Sequence, residues 1–384
     1  MRSRMPLPVH FIDDARALDE CAGLLRDSRR LAVDTESNSM HAYAEQVCFL
    51  QINCGRAIHL IDTIRLRDLA VLAGIFADPE ITKVFHGADY DVVCLRRDFG
   101  FEIRGLRDTM LAAQFLDKKS LGLAALSELY FGVRMDKSLT KHDWGRRPLE
   151  DRYFTYLADD VRHLPDLDER LAEEIRAADV EEELQLEFLR VSRLEWSRPD
   201  FDPEGWRRIK GAREVEPEAR PFLKALFVVR EEIAREENVP PYKILHNDAI
   251  LAMCRNRALQ SGDFGSVRGI RPALQRRWGA RIRDILAEAR SGRLTVDPER
   301  RPARRFDPVA QALEEDIRRW RKNEAATRGV PNVVVLPNHV LERIVEQRPQ
   351  RLEDLEALEY LGKRRLERYG EALLGLVARR PAAD

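Results

Sequence analysis

The second half of the chain repeats itself. Val239-Pro240 matches Val330-Pro331 at an offset of 91 (330 − 239). At the same offset Leu245 and Asn247 match Leu336 and Asn338, Trp278-Gly279 matches Tyr369-Gly370, and Ile282 and Ile285 match Leu373 and Leu376. One offset that holds without a gap over so many apolar anchors marks two copies of one supersecondary unit, each burying the same face. The copies are helical in pattern, so two small all-α bundles are expected, at 215–292 and 306–381. The Pro- and Arg-rich stretch VDPERRPARRFDP lies between them, with linkers expected at 201–214 and 293–305.

Residues 1–200 have a different texture. Asp13 or Asp14 can cap a helix reaching to about Arg26, and strand-like runs follow at 31–36, 46–53 and 57–61. A helix is expected over 66–77, stopped by Asp78-Pro79, then a strand in ITKVFHG and a helix over 89–98, stopped by Phe99-Gly100. From about 107 the pattern is helical almost throughout. Closely spaced strands followed by strand–helix alternation indicate an α/β domain with a mixed sheet and a helical extension.

With 384 residues the chain is long enough for two or three domains. Its 65 Lys and Arg and 66 Asp and Glu cancel to a net charge of −1, so a uniformly basic nucleic-acid binder is excluded and any basic surface is local. The five Cys are scattered with no CxxC pair, which argues against a zinc site or disulfide framework. No apolar run approaches membrane-spanning length, and the N-terminus has no apolar targeting core. A soluble, cytoplasmic, monomeric protein without a membrane partner is expected.

The chemistry begins at RRLAVDTESNSM, residues 29–40. A core strand ends in two acids, Asp34 and Glu36, whose i, i+2 spacing points both to one side. Like charges so close repel, and burial without a partner is costly; a divalent cation resolves both problems. VFHGADYDVVCLRRDFG adds Asp89 and Asp91 at the start of a helix, where acids also serve as ordinary capping residues. YFTYLADDVRHL adds Tyr156 with Asp159 and Asp160, at i+3 and i+4 on one helix face. KSLTKHDWGRRPLEDR places cations and Trp144 just before that helix.

The set D-T-E, H-G-A-x-x-D and Y-x-x-x-D, with DW-x-x-RPL and WRRIKGA, resembles the DEDD superfamily of 3′→5′ exonucleases, most closely the ribonuclease D family. The repeated module resembles the HRDC domain. The likeness covers nearly the whole chain; each motif alone is weak, and their order is the specific signal. It implies an RNase H-like mixed-sheet exonuclease domain followed by two HRDC-like bundles. It selects Asp34, Glu36, Asp91 and Asp160 as metal ligands over Asp89 and Asp159, and gives Tyr156 the positioning of the attacking water. The sister subclass has His five residues before the last Asp; here that residue is Thr155, so the Tyr version fits, and His163 is not a base.

The resemblance further implies two divalent ions, Mg²⁺ or Mn²⁺, and release of 5′-nucleoside monophosphates from RNA 3′ ends, with transfer-RNA precursors and other structured RNAs as partners. Thr35, Ser37 and Asn38 are candidates to hydrogen-bond the terminal nucleotide, and Met40, His41 and Tyr43 to wedge or stack on a base. Lys137, Lys141, Trp144, Arg146 and Arg147 are candidates for phosphate and sugar contacts. Basic helix segments such as RRWGARIR and GKRRLERYG are candidates for sequence-tolerant RNA binding. No motif reads a 2′-hydroxyl, so RNA rests on the family likeness. A DNA exonuclease and a catalytically idle RNA-binding protein are the alternatives.

Overall fold

The computed structural model describes residues 7–197, 200–255, 272–293, 296 and 307–380. In chain order the first part comprises β1 (Val9–Ile12), α1 (Ala15–Arg26), β2 (Arg30–Ser37), β3 (Val47–Asn53), β4 (Ile58–Asp62) and α2 (Ala70–Ala77). It continues with β5 (Thr82–Phe85), α3 (Asp89–Phe99), β6 (Leu106–Asp108), α4 (Thr109–Phe115) and α5 (Leu123–Phe131). Then come α6 (Asp151–Arg162), α7 (Leu164–Ala178) and α8 (Glu181–Ser192). The first repeat holds α9 (Arg220–Glu236), α10 (Pro241–Ile244), α11 (Asn247–Arg255) and α12 (Pro272–Arg290). The second holds α13 (Pro308–Arg328), α14 (Asn332–Val335), α15 (Asn338–Gln347), α16 (Leu352–Glu356) and α17 (Lys363–Ala378).

The six strands form one mixed sheet in the order β1-β4-β3-β2-β5-β6. β1 runs parallel to β4, β2 to β5 and β5 to β6, while β3 and β4 are antiparallel. Every residue of β3 is buried, as expected of a central strand covered on both faces. Asp14, not Asp13, caps α1, its carboxylate accepting from Ala17 N at 2.9 Å. Two strands have no clear sequence signal. β1 is an edge strand with only Ile12 buried, and β6 has three residues, too few for alternation to show.

The chain divides into two compact units. One is built from the described residues within Met1–Glu36, Val47–Trp196 and Arg305–Asp384; the other from those within Ser37–Gln46 and Ser197–Arg304. The first unit thus joins the sheet to the second repeat. Val334 of α14 sits in the same apolar core as the sheet residues. The Arg364 side chain donates to Asp179 at 2.7 Å, its backbone N–H to Glu182 at 3.0 Å, and Arg368 lies 3.7 Å from Asp179. Arg365 is 1% exposed and donates to the carbonyls of Val333, Val334 and Tyr360. Gly362 has φ +82°, and a Cβ there would overlap Leu186 of α8, so the approach requires glycine. Of the arginines of GKRRLERYG, Arg365 is thus buried in its own protein, a correction to the expectation that it meets RNA, while Arg364 and Arg368 pair with Asp179 and stay partly exposed.

In the second unit, residues 201–214 were expected as a linker but belong to the helical core. Trp206 is 2% exposed and packs with Ile209, Ala212, Phe222 and Leu226. The reason is composition: WRRIKGA carries apolar anchors that a solvated linker would expose. Residues 37–46 also belong here: Tyr43 OH donates to Glu231 at 2.5 Å and Ala44 N to Asn238 Oδ1 at 2.9 Å. In RRWGARIR, Arg277 pairs with Glu237 at 2.7 Å and Arg281 with Glu232 at 2.8 Å and Glu236 at 2.7 Å. Of the linker expected at 293–305, only residues 293 and 296 are among the described residues.

Candidate active site

β2 delivers Asp34 and Glu36 from one side of a strand whose preceding residues, Leu31, Ala32 and Val33, are fully buried. α6 delivers the third acid. Its apolar face, Tyr153, Leu157, Ala158 and Val161, is buried, and it packs on β3 and β4. Asn53 at the end of β3 donates to the carbonyls of Val161 and Arg162 at 2.9 and 3.2 Å, fixing the end of the helix. The outcome is a cluster in which carboxylate oxygens of Asp34, Glu36 and Asp160 lie within 4.8 Å of one another.

Asp91 enters from the first turn of α3. It is 7% exposed, and Thr35 donates its hydroxyl to Asp91 Oδ1 at 2.5 Å. Thr35, expected to meet the nucleotide, thus ties Asp91 to β2 between Asp34 and Glu36. Asp89 is instead half-exposed and 3.9 Å from Arg190, and Asp159 pairs with Arg162 at 2.8 Å. His163 stacks on Phe131.

Burial is the leading cause of proton affinity here. It pushes the Asp91 carboxyl up to about 6, partly opposed by the Thr35 hydroxyl, and the Asp160 carboxyl up to about 7, with help from Asp159. Asp34 is held well above the usual carboxylate range by burial and then by Asp91, Asp160 and Glu36; Glu36 is raised by burial and by Asp160 and Asp91. Four acids that burial drives toward the protonated form, Asp34 and Glu36 also under the charge of their neighbours, form an all-oxygen donor set, which is the donor type a hard divalent cation takes. The residues fit such an ion. Burial and then Asp160 push the Tyr156 phenol up to about 12, so it stays protonated at neutral pH.

Loop 137–148 completes the surroundings. Trp144 is 1% exposed and packs on Phe49, Tyr153 and Tyr156, with ring centroids 6.0, 6.0 and 5.7 Å away. Its indole N–H favours the ionised form of Glu36, although among the described residues the nitrogen has no partner at hydrogen-bonding distance. Trp144 is therefore part of the packed wall of the site and not an exposed platform for bases. Arg147 departs from the phosphate-binding role expected of it. Nε and Nη2 donate to the two oxygens of fully buried Asp62, both at 2.7 Å, and Nη1 donates to the carbonyls of Trp144 and Arg146 at 2.8 Å. It also lies over the Phe49 ring. A guanidinium engaged on every nitrogen is a strut that holds the Trp144 loop on β3 and β4.

Lys137 is exposed. Met40 and His41 belong to the second unit, where the Met40 carbonyl accepts from Tyr242 OH at 2.7 Å and His41 Nδ1 lies 3.0 Å from Lys243 Nζ. Sequence reasoning missed Asp108. Its buried carboxylate accepts from Gly87, Ala88, Met110 and Leu111 N–H groups, so one side chain caps α4 and shapes the turn that launches α3. Asp108-Thr109 ahead of an apolar helix is a capping signature that could have revealed it. Gln51 is fully buried, and among the described residues neither of its side-chain polar atoms has a partner.

The chain was compared with known proteins. The 3′-5′ exonuclease family matches residues 9–176, and the HRDC domain matches 220–286 and 310–377. Ribonuclease D of Pseudomonas paraeruginosa is 30% identical over 371 residues, covering 94% of this chain and 95% of that protein. Among solved structures, a protein from Bifidobacterium adolescentis aligns with a TM-score of 0.77 at 22% identity over 98% of both chains. Escherichia coli RNase D, described as an exoribonuclease involved in structured RNA processing, aligns with a TM-score of 0.64 at 23% identity, over 98% of this chain and 100% of that one. At those identities the two structures speak to the fold alone. Similarity at 30% identity along nearly the whole of both chains, with an exonuclease match followed by two HRDC matches, shows that this chain belongs to the ribonuclease D family of 3′→5′ exoribonucleases.

Proposed function

We propose that the protein trims the 3′ ends of structured RNAs, transfer-RNA precursors foremost, one nucleotide at a time, as a cytoplasmic monomer. The observation that carries this reading is the convergence of Asp34, Glu36 and Asp160 within 4.8 Å, with Asp91 tied to the same strand through Thr35. Asp34, Glu36, Asp91 and Asp160 would hold two divalent ions, Mg²⁺ or Mn²⁺. When bound, such ions acidify the attacking water and stabilise the leaving 3′-oxygen.

In the reaction the water oxygen joins phosphorus and the P–O3′ bond breaks. The shortened RNA keeps a new 3′-hydroxyl, and the terminal residue leaves as a 5′-monophosphate. Tyr156, protonated at neutral pH, orients the water by hydrogen bonding and takes no proton from it. Trp144 packs against the Tyr156 ring and restricts its swing. The Asp62–Arg147 strut holds that wall in place.

The test is to incubate the protein with 3′-extended transfer RNA and with matched single-stranded DNA, in Mg²⁺, in EDTA, and as Asp34→Ala. Shortening of the RNA from its 3′ end, lost in EDTA and in Asp34→Ala, is expected. Activity that survives either condition refutes the metal-dependent reading. DNA degraded as fast as RNA moves the substrate class to DNA.

A further inference from the structure

The two helical repeats share a buried arginine clamp. In the first, Arg230 Nη1 donates to the Leu245 carbonyl at 3.2 Å and to Asn247 Oδ1 at 2.7 Å. In the second, at the offset of 91 (321 − 230), Arg321 Nη1 donates to the Leu336 carbonyl at 2.7 Å and to Asn338 Oδ1 at 2.9 Å. Both arginines are 8% exposed, and among the described residues the Nε of each has no partner. A clamp repeated with the fold is architecture. What differs around it is charge.

Beside Arg230 stands Glu231; the position equivalent to Glu231 in the second repeat is Lys322. Arg235, one turn further, becomes Ala326. Glu231 favours the charged form of Arg230. Around Arg321 the named neighbouring charge is another cation, Arg318, which together with burial disfavours the charged form. Among the described residues neither Arg321 nor Lys322 has a carboxylate within ion-pair distance, although arginines nearby on α13 do: Arg318 lies 2.6 Å from Glu314 and Arg319 3.2 Å from Asp316. A guanidinium more than nine-tenths buried without a counter-ion is costly, and an anion arriving from outside would relieve it.

The structure leaves room for one. Arg321, Lys322, Ala326 and Asn338 line a cleft of ≈ 640 Å³ whose other wall, Gln114 and Lys118, comes from α4 and the turn after it in the same compact unit. Asp117 is the one acid in the lining, and Lys118 is already paired with Glu174 at 2.6 Å. The unneutralised charge is thus on the Arg321–Lys322 side. We infer that this cleft seats backbone phosphates of the RNA substrate, with Arg321 and Lys322 as the phosphate ligands, and that the first repeat, with Glu231 in the matching place, has no such site. A guanidinium and an ammonium side by side suit a phosphodiester, and they carry no base specificity. The inference rests on RNA being the substrate and assigns the second repeat a grip of its own.

The experiment measures equilibrium binding of a hairpin RNA with a single-stranded 3′ tail by fluorescence anisotropy, in EDTA so that nothing is cut, over a series of salt concentrations. The proteins are wild type, Lys322→Glu, Arg321→Gln and, as a control for net charge, Lys363→Glu on an 82%-exposed side chain. Lys322→Glu should weaken binding several-fold or more. It should also flatten the slope of log K against log salt by about 0.7 to 0.9 for each phosphate that is no longer neutralised. Arg321→Gln should act in the same direction, and Lys363→Glu should leave the slope near that of wild type.

Unchanged affinity and slope in Lys322→Glu overturns the inference. So does a fall of equal size in Lys363→Glu, or an Arg321→Gln effect that lowers the melting temperature and leaves the salt slope alone. A wild-type protein that neither binds nor shortens RNA would instead overturn the exoribonuclease reading itself.

Discussion

Replacing Asp160 by Asn should make the metal-free protein more stable at pH 8, while abolishing the stabilisation that Mg²⁺ brings. The Asp160 carboxyl is pushed from 3.8 to about 7 in the folded chain, chiefly by burial. Between those values the native state binds more protons than the unfolded one, so stability falls as pH rises through that window. Below about 4 the penalty is absent, and above about 7 it is complete. Roughly 3 pH units at about 1.4 kcal/mol each set a ceiling of about 4 kcal/mol. Partial exposure and screening bring the working figure to about 2 kcal/mol. For a unit of this size that corresponds to a rise in melting temperature of roughly 4–8 °C. The assay is thermal unfolding of wild type and Asp160→Asn in EDTA at pH 5 and pH 8, then in excess Mg²⁺. Ligand at a hundred times its Kd stabilises by about 2.7 kcal/mol, a gain that only wild type should show. A variant less stable than wild type at pH 8 in EDTA, or a gain of equal size at both pH values, would refute the reasoning that the fold penalises an ionised Asp160.

Two further outcomes follow from the same geometry. Arg147→Ala strands the fully buried Asp62 carboxylate and should cost about 3–5 kcal/mol in chemical denaturation. Asp62→Asn combined with Arg147→Met should recover part of that stability, whereas additive destabilisation in the double variant would argue against the strut. Tyr156→Phe should lower kcat by about a hundredfold or more with the pH–rate profile unchanged in shape, because the phenol is held near 12 and does not titrate in the working range. A profile that loses its basic limb in this variant would make Tyr156 a proton acceptor instead.

Much of this protein is local and was therefore legible in the amino-acid sequence. The spacing of Asp34 and Glu36 on an apolar strand, the i, i+4 relation of Tyr156 and Asp160, and the repeat at an offset of 91 are patterns within one element or one module. Strand and helix periodicity alone then dictates which residues share a face. Other features joined residues far apart in the chain and left no local trace. Thr35 bonds Asp91 across 56 positions, Arg147 bonds Asp62 across 85, and Arg364 bonds Asp179 across 185. An arginine in a basic loop reads the same whether it awaits a phosphate or is already satisfied by a buried carboxylate, and only packing tells the two apart. Asp91 and Asp89 open one helix alike; the family resemblance favours Asp91, and packing turns that one inward while Asp89 stays half-exposed. So the sequence by itself determined the candidate acids, their host elements and the two helical modules. The tertiary structure decided which cations were left uncompensated, because charge pairing depends on distances that the chain settles only when its elements meet.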